Sequence, residues 1–137
     1  MTNNMTNRQY IVLGFGIVFV LIGLLGFVQN PVLGVFGVDN WHNFIHLFSG
    51  IAALAVFRSD KNSTRYAKVM GIIYAAVFVL GVVWPNDKIL GFIHIENNDD
   101  WLHLFLAAIL LYTGYGLRSK VVSDKDDKDN KENPVLS

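Results

Sequence analysis

The chain has 137 residues, 53% of them hydrophobic and 16% charged, with a formal net charge of zero. That length is one domain, the composition is greasier than that of an ordinary soluble protein, and the neutral balance gives no general basic signal for nucleic acid. The absence of cysteine excludes disulfides, thiolate metal sites and cysteine nucleophiles.

Residues 1–9 read as a short cytoplasmic N-terminus. Tyr10 to Val28 then runs without a single charge. At about 1.5 Å per residue such a segment nearly spans a hydrocarbon core of roughly 30 Å. Its apolar residues cover every side of a helical wheel, unlike the surface helix of a soluble bundle. Arg8 gives the run a positive start, as in a signal peptide. The run is long, though, and no Ala-x-Ala site follows it, so it is expected to be retained.

Trp41–Phe57, Val69–Trp84 and Trp101–Leu117 are the other apolar segments. They are short but within reach of spanning, because Arg58, Lys68 and Arg118 at their ends can snorkel to the interface. Trp41, Tyr66, Trp84 and Trp101 lie where aromatic belts form. The competing architecture is a soluble four-helix bundle, but each segment lacks the charged face that a soluble helix needs. The expectation is therefore an all-α polytopic membrane protein with four transmembrane helices, its transmembrane domain covering residues 10–118.

Basic residues set the orientation. Arg8 precedes the first helix, Arg58, Lys61, Arg65 and Lys68 crowd the connection between the second and third, and Arg118 and Lys120 follow the fourth. The other two connections hold Lys88 against Asp39, Asp87, Glu96, Asp99 and Asp100. The positive-inside rule places both termini in the cytoplasm of a multi-pass cell-membrane protein. Residues 119–137 are polar, with Lys and Asp interspersed, and read as a disordered cytoplasmic tail.

Shifted by 57 residues, the chain matches itself without a gap. Arg8 falls on Arg65, Gly14 on Gly71, Leu33 on Leu90, Gly34 on Gly91, Asn40 on Asn97 and Leu54 on Leu111. His46-Leu47-Phe48 falls on His103-Leu104-Phe105. Residues of about 8–60 and 65–117 are thus read as two tandem helical hairpins of the same topology, parallel repeats about an axis along the membrane normal.

Asn40 and Asn97 each lie just before an apolar helix, where asparagine is among the best N-caps. Asp99 and Asp100 fall in a first turn, favourable against the helix dipole. His46 and His103 stand six residues further along, about 9 Å into their helices. Ionisable groups at such depth are costly and count as candidate functional residues. One turn outward lie His42 and Asp99, also repeat counterparts, and the i, i+4 spacing puts each pair on one helix face. His42, His46, Asp99 and His103 would suit a divalent metal such as zinc. As a pair, His46 and His103 could instead be axial ligands of a haem. The plainer reading is that each histidine hydrogen-bonds across a helix interface and fixes register, with no cofactor. His94 has Gly37 as its counterpart and is given no role.

No Asp, Glu, Lys or Arg lies within a span, which disfavours proton-coupled transport. There is no Gly-x-Ser-x-Gly, phosphate-binding loop or His-Glu-x-x-His, so an enzyme is not expected.

The stretches "LGVFGVDNWHNFIHLFSGIAAL" and "LGFIHIENNDDWLHLFLAAILL" resemble the paired signatures of a bacterial integral membrane family described as a domain of unknown function (DUF4383). The resemblance runs from about Tyr10 to Leu117, and Asn40, His46, Asn97, Asp99 and His103 match its pattern of Asn, a short gap, then His-Leu. It implies a four-helix membrane protein and no assigned activity. The functional expectation is a small structural or partner-binding membrane protein, in contact with the lipid bilayer and open to homo- or hetero-oligomers through its helices. The alternative is a metal-binding protein with a His/Asp site at the outer face between helices 2 and 4.

Overall fold

The computed structural model describes residues 5–29, 40–83 and 99–118 in full, and the backbone alone at 88–89, 93–94 and 97–98. Four α-helices carry the fold: α1 (Asn7–Val28), α2 (Asn40–Val56), α3 (Asp60–Val83) and α4 (Asn97–Leu111), the last running on into a π-helical turn, Tyr112–Gly116. Between α3 and α4, β1 (Lys88–Ile89) pairs antiparallel with β2 (Ile93–His94), with Lys88 opposite His94. Among the described residues the fold is all-α apart from this two-stranded ribbon, and His94 belongs to its second strand.

A capping box starts α1. The Thr6 hydroxyl accepts from the Gln9 amide at 3.3 Å, and the Gln9 side chain accepts from the Thr6 amide at 2.8 Å. These two bonds satisfy backbone donors that the first turn would otherwise leave orphaned. The connection from α2 to α3 is only Phe57–Ser59, held by the Ser59 amide bonding Val56 O at 3.1 Å. The sequence reading placed Lys61, Arg65 and Lys68 in that connection, whereas they belong to the first turns of α3. A helix that projects beyond an apolar layer can carry charge there. Here Ser63 and Ala67 turn inward while Lys61 turns outward.

Each helix packs most extensively against its neighbour in sequence, α1 on α2 and α3 on α4. The two hairpins then join through α1 and α3 and through α2 and α3. Within the first hairpin the backbones nearly touch. A Cβ at Gly50 would lie 2.6 Å from Val20 N, and one at Gly23 would lie 2.9 Å from Leu47 N. Small residues of this kind let membrane helices approach closely. Gly14, the counterpart of Gly71 in the repeat, faces open space, while a Cβ at Gly71 would meet the backbone of Leu111 at 2.9 Å. Identity at aligned positions does not guarantee the same job.

The apolar core is Val12, Phe15 and Phe19 from α1, Ala53 from α2, Tyr66, Ala67 and Tyr74 from α3, and Ala107 and Leu110 from α4. Phe15 and Phe19 stack at 3.9 Å, and Tyr66 and Tyr74 meet Phe15 edge-on at 6.0 Å. Edge-on contacts are favoured because ring edges are positive and faces negative. The Tyr66 hydroxyl donates to Ser49 O at 2.8 Å, tying α3 to α2.

The outer surface inverts the pattern of a soluble bundle. Leu21, Leu24, Phe48, Ile51, Ile72 and Phe105 are exposed, whereas His42, Asn43, His46, Ser49, Asp99, Asp100 and His103 are buried. Two helices, α1 and α3, are long and apolar enough to cross a membrane, with peak mean hydropathy of 2.9 and 2.0. Their apolar windows are 33% and 22% buried, so most of each window lies on the surface of the bundle. The expected tail, residues 119–137, and residues 1–4 of the expected N-terminus lie outside the described residues.

Candidate functional site

At the end of the bundle where α2 and α4 begin, three imidazoles converge. His42 and His46 lie on one face of α2, one turn apart, with ring centroids 4.4 Å apart. His103 arrives from the second turn of α4 and stacks on His42 at 5.8 Å, at an interplanar angle of 20°. One nitrogen from each of the three rings lies within 4.8 Å of the other two. All three residues are buried, at 4–6% exposure.

The cluster sits directly on the aromatic core. Phe19 meets His46 edge-on at 5.0 Å, and Tyr74 stacks on His103 at 5.6 Å. Helical spacing explains the arrangement. His42, His46, Ser49, Gly50 and Ala53 recur every three to four residues along α2, and Asp99, His103, Ala107 and Leu110 do the same along α4. One inward stripe on each helix therefore starts polar and ends apolar.

Asp99, placed one turn before His103, is 2% exposed but does not belong to the set of converging nitrogens. Asn40 and Asn97 are the first residues of α2 and α4. The positions ahead of them, 39 and 96, lie outside the described residues.

The sequence reading gave no role to Asn43 and gave Asp100 only a place against the helix dipole, yet both are buried. Asn43 is 1% exposed and Asp100 9%, and neither Asn43 Oδ1 nor Asp100 Oδ1 has a hydrogen-bond partner among the described residues. Each presses on a glycine of the preceding helix, Asn43 Oδ1 on Gly26 and Asp100 Oδ1 on Gly81, at places where a Cβ would force the polar side chain to move. A 57-residue shift maps Asn43 onto Asp100, so the repeat held the signal. Tyr74 was also missed. Its counterpart, Ile17, is exposed, so the repeat could not point to it.

The shift makes a wider correspondence. Positions 42 and 99, 43 and 100, 46 and 103, 50 and 107, and 53 and 110 are buried in both copies. Within α1 and α3 the correspondence holds only at Gln9 and Tyr66. Val12 and Phe15 of α1 are buried, while Val69 and Ile72, their counterparts in α3, are exposed.

The family described as a domain of unknown function (DUF4383) matches residues 9–116. The chain belongs to this family. The match takes in the three converging histidines and nearly the whole of the four helices, as the two cap-and-histidine stretches implied. No curated protein and no solved structure matches the chain. Membership of DUF4383 brings no activity with it, so a functional reading rests on the geometry of the histidine end.

The opposite end is tied by a different polar group. Asp60 accepts from the Thr6 hydroxyl at 2.6 Å and pairs with Arg8 at 3.2 Å, and Arg8 also donates to the carbonyl of Leu117. One guanidinium thus links the start of α1, the start of α3 and the residue after the π turn. It also brings the first and last helical segments to the same end of the bundle.

Proposed function

We propose that the chain is a four-span integral protein of the cell membrane, built as two tandem parallel hairpins over residues of about 8–60 and 65–117. Its role is that of a small structural or partner-binding membrane component, with both termini cytoplasmic. The inversion of surface and interior carries the reading: large apolar side chains face outward on every helix while histidine, asparagine and aspartate are buried. In water such a surface would aggregate; in lipid it is the surface required.

Further features support it. Trp41 and Trp101 are exposed at the histidine end, and Tyr10, Tyr112 and Tyr115 at the other, where aromatic belts would lie. With 17 residues, α2 is about 25 Å long, and α4 with its π turn approaches 30 Å. Modest mismatch of that size is absorbed by local thinning of the bilayer. The shared burial of α2 and α4 supports the two-repeat reading. Arg8, Arg58, Lys61 and Arg65 cluster towards the end held by Asp60, which supports the orientation. Partners then meet the chain through its outward helix faces, as a homo- or hetero-oligomer.

Because the chain has no cysteine, single introduced cysteines report topology without background. Asn40 and Asn62 are exposed at opposite ends of the bundle. Asn40→Cys should react with a membrane-impermeant maleimide on intact cells, and Asn62→Cys only after permeabilisation. Recovery of the protein in the soluble fraction would overturn the membrane reading, and the reverse labelling pattern would overturn the orientation.

A further inference from the structure

We infer that His42, His46 and His103 form a three-imidazole centre for a divalent d-block cation of the zinc, copper or nickel class. This goes beyond the membrane reading and can fail while that reading stands.

Convergence is the first ground. An ion at the middle of a triangle with sides of 4.8 Å lies about 2.8 Å from each corner, so each ring moves at most about 0.7 Å to make a bond of 2.0–2.1 Å. Small χ rotations of a histidine supply that shift within one rotamer well. Two rings already come from one helix at i, i+4 spacing, which fixes their separation before the third arrives.

Unspent nitrogens are the second ground. The Nδ1 atoms of His46 and His103 are buried without a hydrogen-bond partner among the described residues. An imidazole kept only to hold helices together would direct its ring nitrogens at carbonyls or hydroxyls, since buried polar atoms left unpaired are costly. Here Phe19 and Tyr74 present rings to the two histidines instead. Each ring offers one nitrogen to the convergence, and a metal bond there gives the imidazole a use that its aromatic neighbours do not.

Charge is the third ground. Asp99 is buried in the first turn of α4, one turn from His103 on the same helix face. A buried carboxylate is stabilised in its charged form by positive charge nearby, and a dication held by three neutral imidazoles would supply it. The ligand type then selects the ion. Imidazole suits zinc, copper and nickel, whereas magnesium and calcium take oxygen cages. Three protein ligands leave a fourth position for water or an exogenous ligand.

The test uses the full chain purified in detergent, with Zn²⁺ and Co²⁺ as probes. One zinc per chain is expected by elemental analysis after gel filtration, and Co²⁺ should give the visible bands of a four-coordinate site. His42→Gln, His46→Gln and His103→Gln should each weaken zinc binding at least tenfold. Where a variant fails to fold, X-ray absorption on the zinc-loaded wild type decides, with three imidazole scatterers expected. Two or fewer imidazoles, folded wild type that binds no stoichiometric zinc, folded variants with wild-type affinity, or a Soret band assigning the histidines to haem would each overturn the proposal.

Discussion

His42 on α2 and His103 on α4 belong to different hairpins, yet their rings stack 5.8 Å apart. The hairpins also join through α1 and α3, through α2 and α3, and through smaller contacts of α1 with the π turn and of α2 with β2. The imidazoles are therefore the bridge between the two helices whose burial patterns correspond. Arg8 does the equivalent job at the other end, where it joins Asp60 and the Leu117 carbonyl. The bundle has an apolar middle with a polar tie at each end. In lipid this division follows from the solvent. Apolar packing there gains no hydrophobic driving force, so hydrogen-bonding and charged groups carry relatively more of the specificity of helix association.

The lipid-facing assignment predicts a large response to charge at exposed positions. Phe48 stands midway along α2 and Leu21 beyond the middle of α1, both exposed. Phe48→Asp and Leu21→Asp should each cost about 2.5–3.5 kcal/mol of membrane insertion. On a water-facing surface the same changes would fall within about 0.5 kcal/mol. The inserted fraction, read by carbonate extraction, separates the two: wild-type recovery of both variants in the membrane pellet would contradict the lipid-facing assignment.

The tie at the Arg8 end predicts coupling between α1 and α3. The side chains of Arg8 and Asp60 are 14% and 28% exposed, so their pairing is only partly screened by solvent. Arg8→Gln should cost about 1–2 kcal/mol in detergent, since bonds to charged groups contribute more than neutral ones. Asp60→Asn should cost less, because an amide oxygen still accepts from Thr6. A double-mutant cycle followed by thermal unfolding should show at least about 0.5 kcal/mol of coupling. Strict additivity would mean that the two side chains do not act together.

A single hydrogen bond in the middle of the bundle offers a smaller test. Tyr66 donates to Ser49 O, and its ring packs against Phe15. Tyr66→Phe keeps the packing and leaves the carbonyl without its donor, at a cost of about 1 kcal/mol. Tyr66→Ala also removes the ring and should cost about 3–5 kcal/mol. Equal losses from both variants would mean that the ring contributes nothing.

Four helices were legible because apolar runs and their punctuation are local, and so was the polar start of each inward stripe. The pairing of His42 with His46 follows from helical spacing alone. That His103 meets them required knowing how the hairpins dock, a relation over long distance that only the repeat suggested. Its limits are also physical. Shifted copies share burial where α2 and α4 turn inward, but Phe15 and Ile72 differ because α1 and α3 present different residues to the core. Asn43 and Asp100 could have been found by extending the repeat argument one residue past His42 and Asp99. The capping box of Thr6 and Gln9 was readable as Thr-x-x-Gln, but it lay ahead of the apolar run that drew attention. The early start of α3 was hidden because its first turns are charged, and hydropathy marks the lipid boundary rather than the helix boundary.

The last prediction concerns the glycines beneath those two polar residues. A methyl group at Gly26 would land on Asn43 Oδ1, and one at Gly81 on Asp100 Oδ1. In a helix interior glycine is otherwise the poorer choice, by about 1 kcal/mol against alanine, so something must repay it. Gly26→Ala and Gly81→Ala should each destabilise by about 1–3 kcal/mol, the usual cost of overpacking. Gly14→Ala is the control, because nothing lies within 4 Å of its Cβ, and it should be neutral or stabilising. Truncating the obstructing side chain should relieve the clash, so Asn43→Ala combined with Gly26→Ala should be more stable than the sum of the two single losses. That sign distinguishes a steric conflict with Asn43 from a general aversion of α1 to alanine. If Gly26→Ala alone unfolds at the wild-type temperature, the contact between Asn43 and α1 is looser than described, and the tight fit of α2 on α1 at this end is lost with it.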